Sequence, residues 1–440
     1  MSEELHLKVF LNRSELVRPD GATETFFEGA VDSATKLRYK NLVTAFKQGF
    51  LNDQIVLCRD MPSALEMNRL SDAHTHLLDA LVNSMTSEVG RALIGLSVLQ
   101  LCVKTIEPTQ SIRLHKGGYS TKDFSWREGV SMRGLDKPFI TPILRHHDLL
   151  KLNKDGFMMT RTLAENYPYS KVYKANIQGA RIEWATMVEA IEAGELQPKA
   201  GLQYLLSKLL NNASQFNNLA NDVLNSLKQA QENGKLRDKN SVATLLKQHI
   251  NSSNYAARIM EITMHSLMQA LQETGGLYSG TIVPLSQMRS ANKKHGNVGD
   301  IEVTEEGNIL EAWDAKYGKN YLRDELEELN DKLTYHSNIE VAGFVTSGQP
   351  ERLEELEKRR KEIEELHEIS LPIITLDEWI DRQFARSEHN LLFTEDELAT
   401  KWSTAYTESI AQRRPETAPI DEPCYQWLES FSQLLSKNYF

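Results

Sequence analysis

The sequence predicts an α+β protein in which a mainly α-helical N-terminal region precedes a mixed β-sheet flanked by helices. In the first 250 residues, long stretches carry apolar side chains at three- and four-residue steps, which is the helical period. After Asn251, short runs with strand character alternate with helical ones in the order α-β-β-α-β-α-β-α. That order predicts a small mixed sheet with helices on its faces.

Apolar spacing and turn residues predict the elements of the first 250 residues. Residues 64–105 have the helical period and no proline, and residues 180–250 are helical again with a break at Gly234. The apolar stripe of residues 201–231 is typical of a helix that packs against a partner. Between these stretches, ITPILRHHDLL predicts a helix, and LLKLN and FMMTRT predict two strands around the Asp155-Gly156 turn. A helix followed by a hairpin resembles the end of a winged helix.

The elements of the C-terminal part follow from the same signals. YAARIMEITMHSLMQALQE predicts a helix that ends at Gly275-Gly276. NVGDIEV and ILEAWDAKYG predict the two strands of a hairpin with its turn at residues 305–308. YLRDELEELNDKL and ERLEELEKRRKEIEELHE predict helices, IEVAGFVTS predicts a strand, and LPIITLDEWI predicts a strand that runs into a helix.

Composition excludes several classes of protein. The 440 residues are 40% hydrophobic and 25% charged, which is typical of a folded globular protein. No apolar run approaches the roughly 18 residues of a membrane span, and MSEELHLKVF lacks the pattern of a signal peptide. Cys58, Cys102 and Cys424 lie too far apart for a zinc knuckle or a disulfide framework. We therefore expect a cytoplasmic protein with no membrane partner.

The net charge of −11 is unevenly distributed. Between Lys104 and Arg181 there are 14 Lys and Arg against 7 Asp and Glu, so an acidic protein contains a basic central segment. Such a local excess is typical of phosphate binding, and a solvated surface is the alternative interpretation.

The second strand of the predicted C-terminal hairpin combines an acid with a base. Side chains two apart on a strand share a face, so Asp314 and Lys316 project together, and Asp300 at the start of the other strand can lie beside Asp314. Two carboxylates at such a short distance repel each other unless a cation or a proton lies between them. An oxygen-rich pair suits Mg²⁺, and Lys316 would place a point charge beside an attacking water.

This arrangement, an Asp followed by Asp-x-Lys, resembles the PD-(D/E)xK nuclease superfamily, the fold of most type II restriction endonucleases. The resemblance covers roughly residues 250–385, and Gly299 stands where the family commonly has a proline. It implies a PD-(D/E)xK nuclease-like mixed sheet in which Asp300, Asp314 and Lys316 are catalytic. In many members an acid on the preceding helix also reaches the metal, and Glu261 is the matching residue. The implied Mg²⁺ ligands are Asp300, Asp314 and Glu261.

The resemblance also implies a function. We expect a bacterial type II restriction endonuclease that hydrolyses phosphodiester bonds of double-stranded DNA with Mg²⁺, as a homodimer. Cations beside the site and in the basic segment are the expected DNA contacts: Arg289, Lys293, Lys294, Arg127, Arg133, Arg145, Lys151, Lys154 and Arg161.

Four segments follow from these predictions. Residues 1–110 form the mainly helical N-terminal region, 111–182 a winged-helix-like DNA-recognition segment, 183–250 a helical linker or dimerisation region, and 251–440 the catalytic domain. The helix at residues 201–231 is the expected dimer contact.

Other interpretations stay open at this point. The protein could be a modification-dependent or repair nuclease of the same fold, or a DNA-binding protein without activity. Asp314 and Lys316 could be an ordinary surface ion pair on a hairpin. The His74-Thr-His76 motif also matches metal-dependent amidohydrolases, but it lies in a helical pattern, where the two imidazoles point to different faces.

Overall fold

The chain forms two compact units, Met1–Gln215 and Phe216–Phe440. The computed structural model describes residues 4–84, 88–116, 124–150, 156–157, 167–173, 179–286, 297–336, 338–388, 392–420, 422 and 424–440. The structure is of the mixed α+β class, as the sequence predicts. The domain boundaries expected at residues 110, 182 and 250 stay predictions.

The first unit begins with a three-stranded antiparallel sheet that the sequence analysis does not predict. Its strands, in spatial order, are β1 (His6–Val9), β2 (Arg13–Val17) and β3 (Thr23–Phe27). Each strand has only four or five residues, and few of their side chains are fully buried, so the alternation is too short to recognise. Leu16 and Phe26 anchor this sheet against Trp126.

Helices make up most of the rest of the first unit. They are α1 (Ser33–Lys47), α2 (Phe50–Asp60), α3 (Asp72–Asn83), α4 (Glu88–Ile106), α5 (Met132–Leu135), α6 (Thr141–His146), α7 (Arg181–Glu192) and α8 (Pro198–Glu232), which extends beyond residue 215. Asp32 and Ser71 cap α1 and α3 by accepting a hydrogen bond from a backbone N–H of the first turn. His74 and His76 lie in α3, in agreement with the helical interpretation of their motif.

The winged-helix prediction is only partly covered by the described residues. Its helix is confirmed over α6, after a π-helical turn at Asp136–Ile140. Leu149, Leu150 and Phe157, which the sequence analysis places in strands, are not in strands. The remainder of both predicted wing strands lies outside the described residues. The winged helix therefore stays a prediction.

The second unit follows the predicted order closely. After α8 come α9 (Lys239–Ser252), α10 (Ala256–Thr274), β4 (Thr281–Ile282), β5 (Ile301–Glu305), β6 (Asn308–Lys316), α11 (Arg323–Leu333), β7 (Val341–Thr346), α12 (Leu353–His367), β8 (Ile373–Thr375), α13 (Leu376–Glu388), α14 (Glu395–Ile410) and α15 (Cys424–Tyr439). Gly275 ends α10 in the left-handed conformation (φ 80°), as predicted. The two-residue strand β4 is an addition to the prediction.

The five strands of the second unit form one mixed sheet in the order β4-β5-β6-β7-β8. The pairs β4–β5 and β5–β6 are antiparallel, whereas β6–β7 and β7–β8 are parallel. The central strand β6 contributes to two hydrophobic clusters. Ala312 packs with α11 and α12 residues in one, and Trp313 meets Trp379 of α13 edge-on in the other, with ring centroids 6.1 Å apart.

The β5–β6 turn and a β-bulge beside it fix the register that places Asp300 opposite Asp314, because the pairing shifts by one residue between Val303 and Thr304. Glu306 (φ 49°) and Gly307 (φ 87°) both have positive φ, as a type I′ hairpin turn requires. Ile301 then pairs with Trp313, so the residue before β5 lies level with Asp314 of β6.

Gly299 allows the chain before β5 to lie directly on β6. A Cβ at this position would stand 2.7 Å from the carbonyl oxygen of Trp313 and 2.9 Å from its backbone nitrogen. Those backbone atoms are fixed by the sheet and cannot move aside. Glycine at this position is therefore a packing requirement.

The helices in the described part of the chain include none whose length and apolar character would let it cross a membrane.

We expect Gly299→Ala to lower the free energy of unfolding by about 1–3 kcal/mol, because the added methyl group meets backbone rather than a side chain. Urea unfolding followed by circular dichroism measures the change. Gly348→Ala is the matched control, since its Cβ would lie 3.4 Å or more from the nearest atoms, those of Asn320, and should change stability by less than about 0.5 kcal/mol. Equal losses in the two variants would contradict the close approach at Gly299.

Candidate active site

Asp300 is held against β6 by backbone hydrogen bonds. Its Oδ2 accepts a hydrogen bond from the N–H of Ala315 (3.1 Å). The preceding loop is fixed by Glu302, whose Oε1 accepts from the N–H groups of Val298 (2.6 Å) and Gly299 (3.2 Å). The buried Glu302 therefore positions Asp300, a role that the sequence analysis does not identify.

Asp314 and Lys316 lie on the same face of β6, as their spacing predicts. The Lys316 Nζ is 2.9 Å from the Asp314 Oδ2, and the two side chains are only 23% and 19% exposed. An ordinary surface ion pair would be solvated. This pair is instead largely removed from water.

Asp300 and Asp314 form a hydrogen-bonded pair of carboxyl groups. Burial, the Asp300 charge and the hydrogen bond from Asp314 to Asp300 together raise the pKa of Asp314 to about 7. Burial also raises the pKa of Asp300, although the hydrogen bond donated by Asp314 counteracts this. Below about pH 7 the two carboxyl groups therefore share one proton.

Lys316 remains a cation in this buried setting. Burial by itself lowers the pKa of its ammonium group, but the charges of Asp314 and Asp300 outweigh that effect, so the pKa lies above its ordinary value. The neighbouring Lys319 and Arg323 pair instead with Glu325 and Glu327.

Glu261 projects from α10 near the aspartate pair. Burial raises its pKa, and the charges of Asp314 and Glu422 act in the same direction. Its Oε2 pairs with the Arg258 Nη1 at 2.5 Å. Glu261 therefore belongs to the same electrostatic group as the aspartates, and its carboxylate is ion-paired with Arg258. Its expected role as a metal ligand stays a prediction.

Arg258 and Glu422 are members of this group that the sequence analysis does not identify. The Arg258 Nε lies 2.8 Å from the Glu422 Oε1, and both side chains are about 95% buried (5% and 4% exposed). Arg258 could have been found from the sequence, because it lies three residues before Glu261 on a helix and residues at that spacing are neighbours. Nothing in the sequence connects residue 422 to this helix.

The charges of the described group do not balance. It comprises four carboxylates and two cations: Glu261, Asp300, Asp314, Glu422, Arg258 and Lys316. When all are ionised, two negative charges remain, which is the charge that one divalent cation neutralises. Buried carboxylate oxygens are also the ligand type of Mg²⁺. The residues present therefore fit that ion in charge and in donor type.

Among the described residues, no set of three or more His, Cys, Asp or Glu side chains lies ready to coordinate a metal. Asp300 and Asp314 are hydrogen-bonded to each other, and Glu261 is ion-paired with Arg258. Metal binding would require the shared proton to leave.

The predicted DNA contacts are only partly described. Arg127, in the loop before α5, and Arg133 of α5 are exposed, and Arg145 of α6 is half-buried. The other six lie outside the described residues: Arg289, Lys293, Lys294, Lys151, Lys154 and Arg161. The three described arginines belong to the first unit and the acidic group belongs to the second.

No protein-family model and no curated protein matched the chain in comparisons with known proteins. The functional proposal therefore depends on the geometry and electrostatics of the site.

The pKa of Asp314 predicts how the stability of the metal-free protein depends on pH. The carboxyl binds its proton more tightly in the folded protein, with a pKa of about 7, than in the unfolded chain, where the value is near 3.8. Its contribution to stability is therefore complete below about pH 4 and is lost as the pH rises to about 7. We expect Asp314→Asn, which cannot ionise, to gain on the order of 2–4 kcal/mol over the wild type between about pH 4 and pH 8.

Urea unfolding in EDTA at both pH values measures this gain. Asp331→Asn, at an exposed position of α11, is the matched control and should differ from the wild type equally at both pH values. If the Asp314→Asn difference were likewise independent of pH, Asp314 would not lie beside a second buried carboxylate.

Proposed function

We propose that the protein is a Mg²⁺-dependent, sequence-specific endonuclease that hydrolyses phosphodiester bonds of double-stranded DNA, with a PD-(D/E)xK nuclease-like C-terminal domain. The observation that carries the proposal is the buried Asp300–Asp314 pair with Lys316 ion-paired to it on the central strand of a mixed sheet. The order of elements supports it as well. A helix that bears Glu261 is followed by an antiparallel hairpin and then by two parallel strands with intervening helices.

Asp300 and Asp314 would hold the Mg²⁺, with Glu261 as a third acid. When bound, the ion would polarise a phosphoryl oxygen and lower the pKa of a bound water. Asp314 must first release the proton that it shares with Asp300, so activity should rise as the pH passes about 7.

Lys316 supplies a fixed positive charge beside these acids. Its ammonium donates hydrogen bonds, which would orient the attacking water and stabilise the negative charge that develops on the phosphoryl oxygens. The ion pair with Asp314 restricts the position of Nζ before substrate arrives, which reduces the entropy lost in the reaction. The water oxygen forms the new bond to phosphorus as the bond to the leaving oxygen of the DNA breaks.

The partners belong to the proposal too. Arg289, Lys293 and Lys294 would hold the scissile strand through its phosphates. Basic residues of the segment from residue 104 to 181 would contribute to DNA binding: Arg127, Arg133, Arg145, Lys151, Lys154 and Arg161. We further propose a homodimer in the bacterial cytoplasm that acts in host defence as a restriction endonuclease.

A digest of plasmid and phage DNA with Mg²⁺ tests the proposal. We expect discrete fragments from the wild-type protein, no cleavage in EDTA, and at least about 100-fold less cleavage by Asp314→Ala and by Lys316→Ala, because each removes a group that acts in the transition state. Sequencing of the fragment ends would identify the target.

Lys358→Ala and Asp331→Ala are matched controls, since both residues are exposed on helices of the same domain, and both variants should cut like the wild type. Intact unmodified DNA together with cut methylated DNA would favour a modification-dependent nuclease. If DNA of both kinds stays intact but is bound by the folded protein, the nuclease proposal is wrong and a DNA-binding role replaces it.

A further inference from the structure

We propose that Arg258 is a positioning residue of the active site, which holds the Glu261 carboxylate beside the aspartate pair and is itself anchored by Glu422. This inference rests on the proposed function, because it concerns the response of that site to Mg²⁺. Neither Arg258 nor Glu422 belongs to the Asp…Asp-x-Lys motif.

Three contacts among the described residues hold the Arg258 guanidinium in place. Nη1 pairs with the Glu261 Oε2 at 2.5 Å, Nε lies 2.8 Å from the Glu422 Oε1, and Nη2 donates to the carbonyl oxygen of Ser286 at 2.5 Å. The side chain is only 5% exposed, so it is not available to contact DNA phosphates. Its guanidinium is instead paired with the Glu261 carboxylate.

The Glu261 carboxylate needs this partner because of its surroundings. Its side chain is only 22% exposed on α10, and the negative charges of Glu422 and Asp314 act on it. A buried carboxylate among like charges is repelled by them and is costly to keep in place. The pairing with Arg258 keeps Glu261 oriented near the acids. The anchor at Glu422 fixes Arg258 from the opposite side.

A purely structural ion pair occurs in the same sheet and provides the comparison. Arg386 of α13 makes two contacts with the Glu311 carboxylate of β6, at 2.7 and 2.6 Å. Trp313 donates its indole N–H to the same carboxylate. Glu311 lies an odd number of residues from Asp314, so it points to the other face of the strand. Loss of the Arg386 side chain should therefore lower the stability of the protein and leave its Mg²⁺ affinity unchanged.

The test is a double-mutant cycle with Mg²⁺ alone as the probe. The Mg²⁺ concentration for half-maximal thermal stabilisation, and the Mg²⁺ affinity by calorimetry, are measured without DNA for the wild type, Arg258→Gln, Glu261→Gln and the double variant. We expect each single substitution to weaken Mg²⁺ binding about tenfold or more, as the loss of a residue that orients a metal ligand does. The double variant should be no weaker than Glu261→Gln, because Arg258 acts through Glu261.

Arg386→Gln is the stability control and should lower the melting temperature without changing the Mg²⁺ affinity. If Arg258→Gln does not fold, Glu422→Gln and Arg258→Lys take its place. Each should weaken Mg²⁺ binding relative to the wild type, and neither should weaken it further when combined with Glu261→Gln.

Two results would overturn the inference but not the proposed function. One is an Arg258 variant that binds Mg²⁺ as tightly as the wild type. The other is a double variant in which the losses of Mg²⁺ affinity of the two single variants add up. A wild-type protein that neither responds to Mg²⁺ nor cleaves DNA would instead contradict the proposed function, and the inference with it.

Discussion

The constraint on which the second unit depends is the burial of two carboxyl groups side by side. Asp300 and Asp314 repel each other when both are ionised, and burial removes the water that would screen them. The surrounding structure compensates with a shared proton, with the ammonium of Lys316 and with a backbone N–H to Asp300. While that proton is bound, the described group of charges retains a surplus of one negative charge, and the surplus rises to two when the proton leaves. Burial of such a group lowers the stability of the folded protein, and a local loss of stability of this kind is typical of functional sites.

The sheet makes this close approach possible through local features of the backbone. The left-handed turn at Glu306 and Gly307 and the β-bulge between Val303 and Thr304 together fix the hairpin register, and Gly299 lets the chain lie on the backbone of β6. Beyond the hairpin, the parallel strands place Gly343 against the ring of Trp313, where a larger residue would clash. The position of the acids is therefore determined by backbone packing. The stability of the surrounding fold offsets the unfavourable free energy of their repulsion.

Much of the second unit could be predicted because its signals are local. The helix ending at Gly275, the turn at Gly307 and the same-face spacing of Asp314 and Lys316 each depend on residues within a few positions of one another. The sheet β1–β3 was missed because its strands are short and few of their side chains are fully buried, so a clear alternation hardly develops. The strand assignments of Leu149, Leu150 and Phe157 were wrong for a related reason, since apolar runs this short do not distinguish a strand from irregular packed chain.

By itself, the sequence determined the kinds of groups in the candidate site and their local arrangement, because periodicity and turn chemistry act over short distances. It specified Asp300, Asp314 and Lys316 on a hairpin. Only the resemblance to PD-(D/E)xK nucleases pointed to Glu261 on the helix before it. Only the tertiary structure decided that the aspartates share a proton, that Arg258 holds Glu261, and that Glu422 holds Arg258. The physical reason is that a charge in a folded protein takes its properties from burial and from neighbours distant in the chain. Glu422 follows Arg258 by more than 160 residues, and folding alone brings the two together.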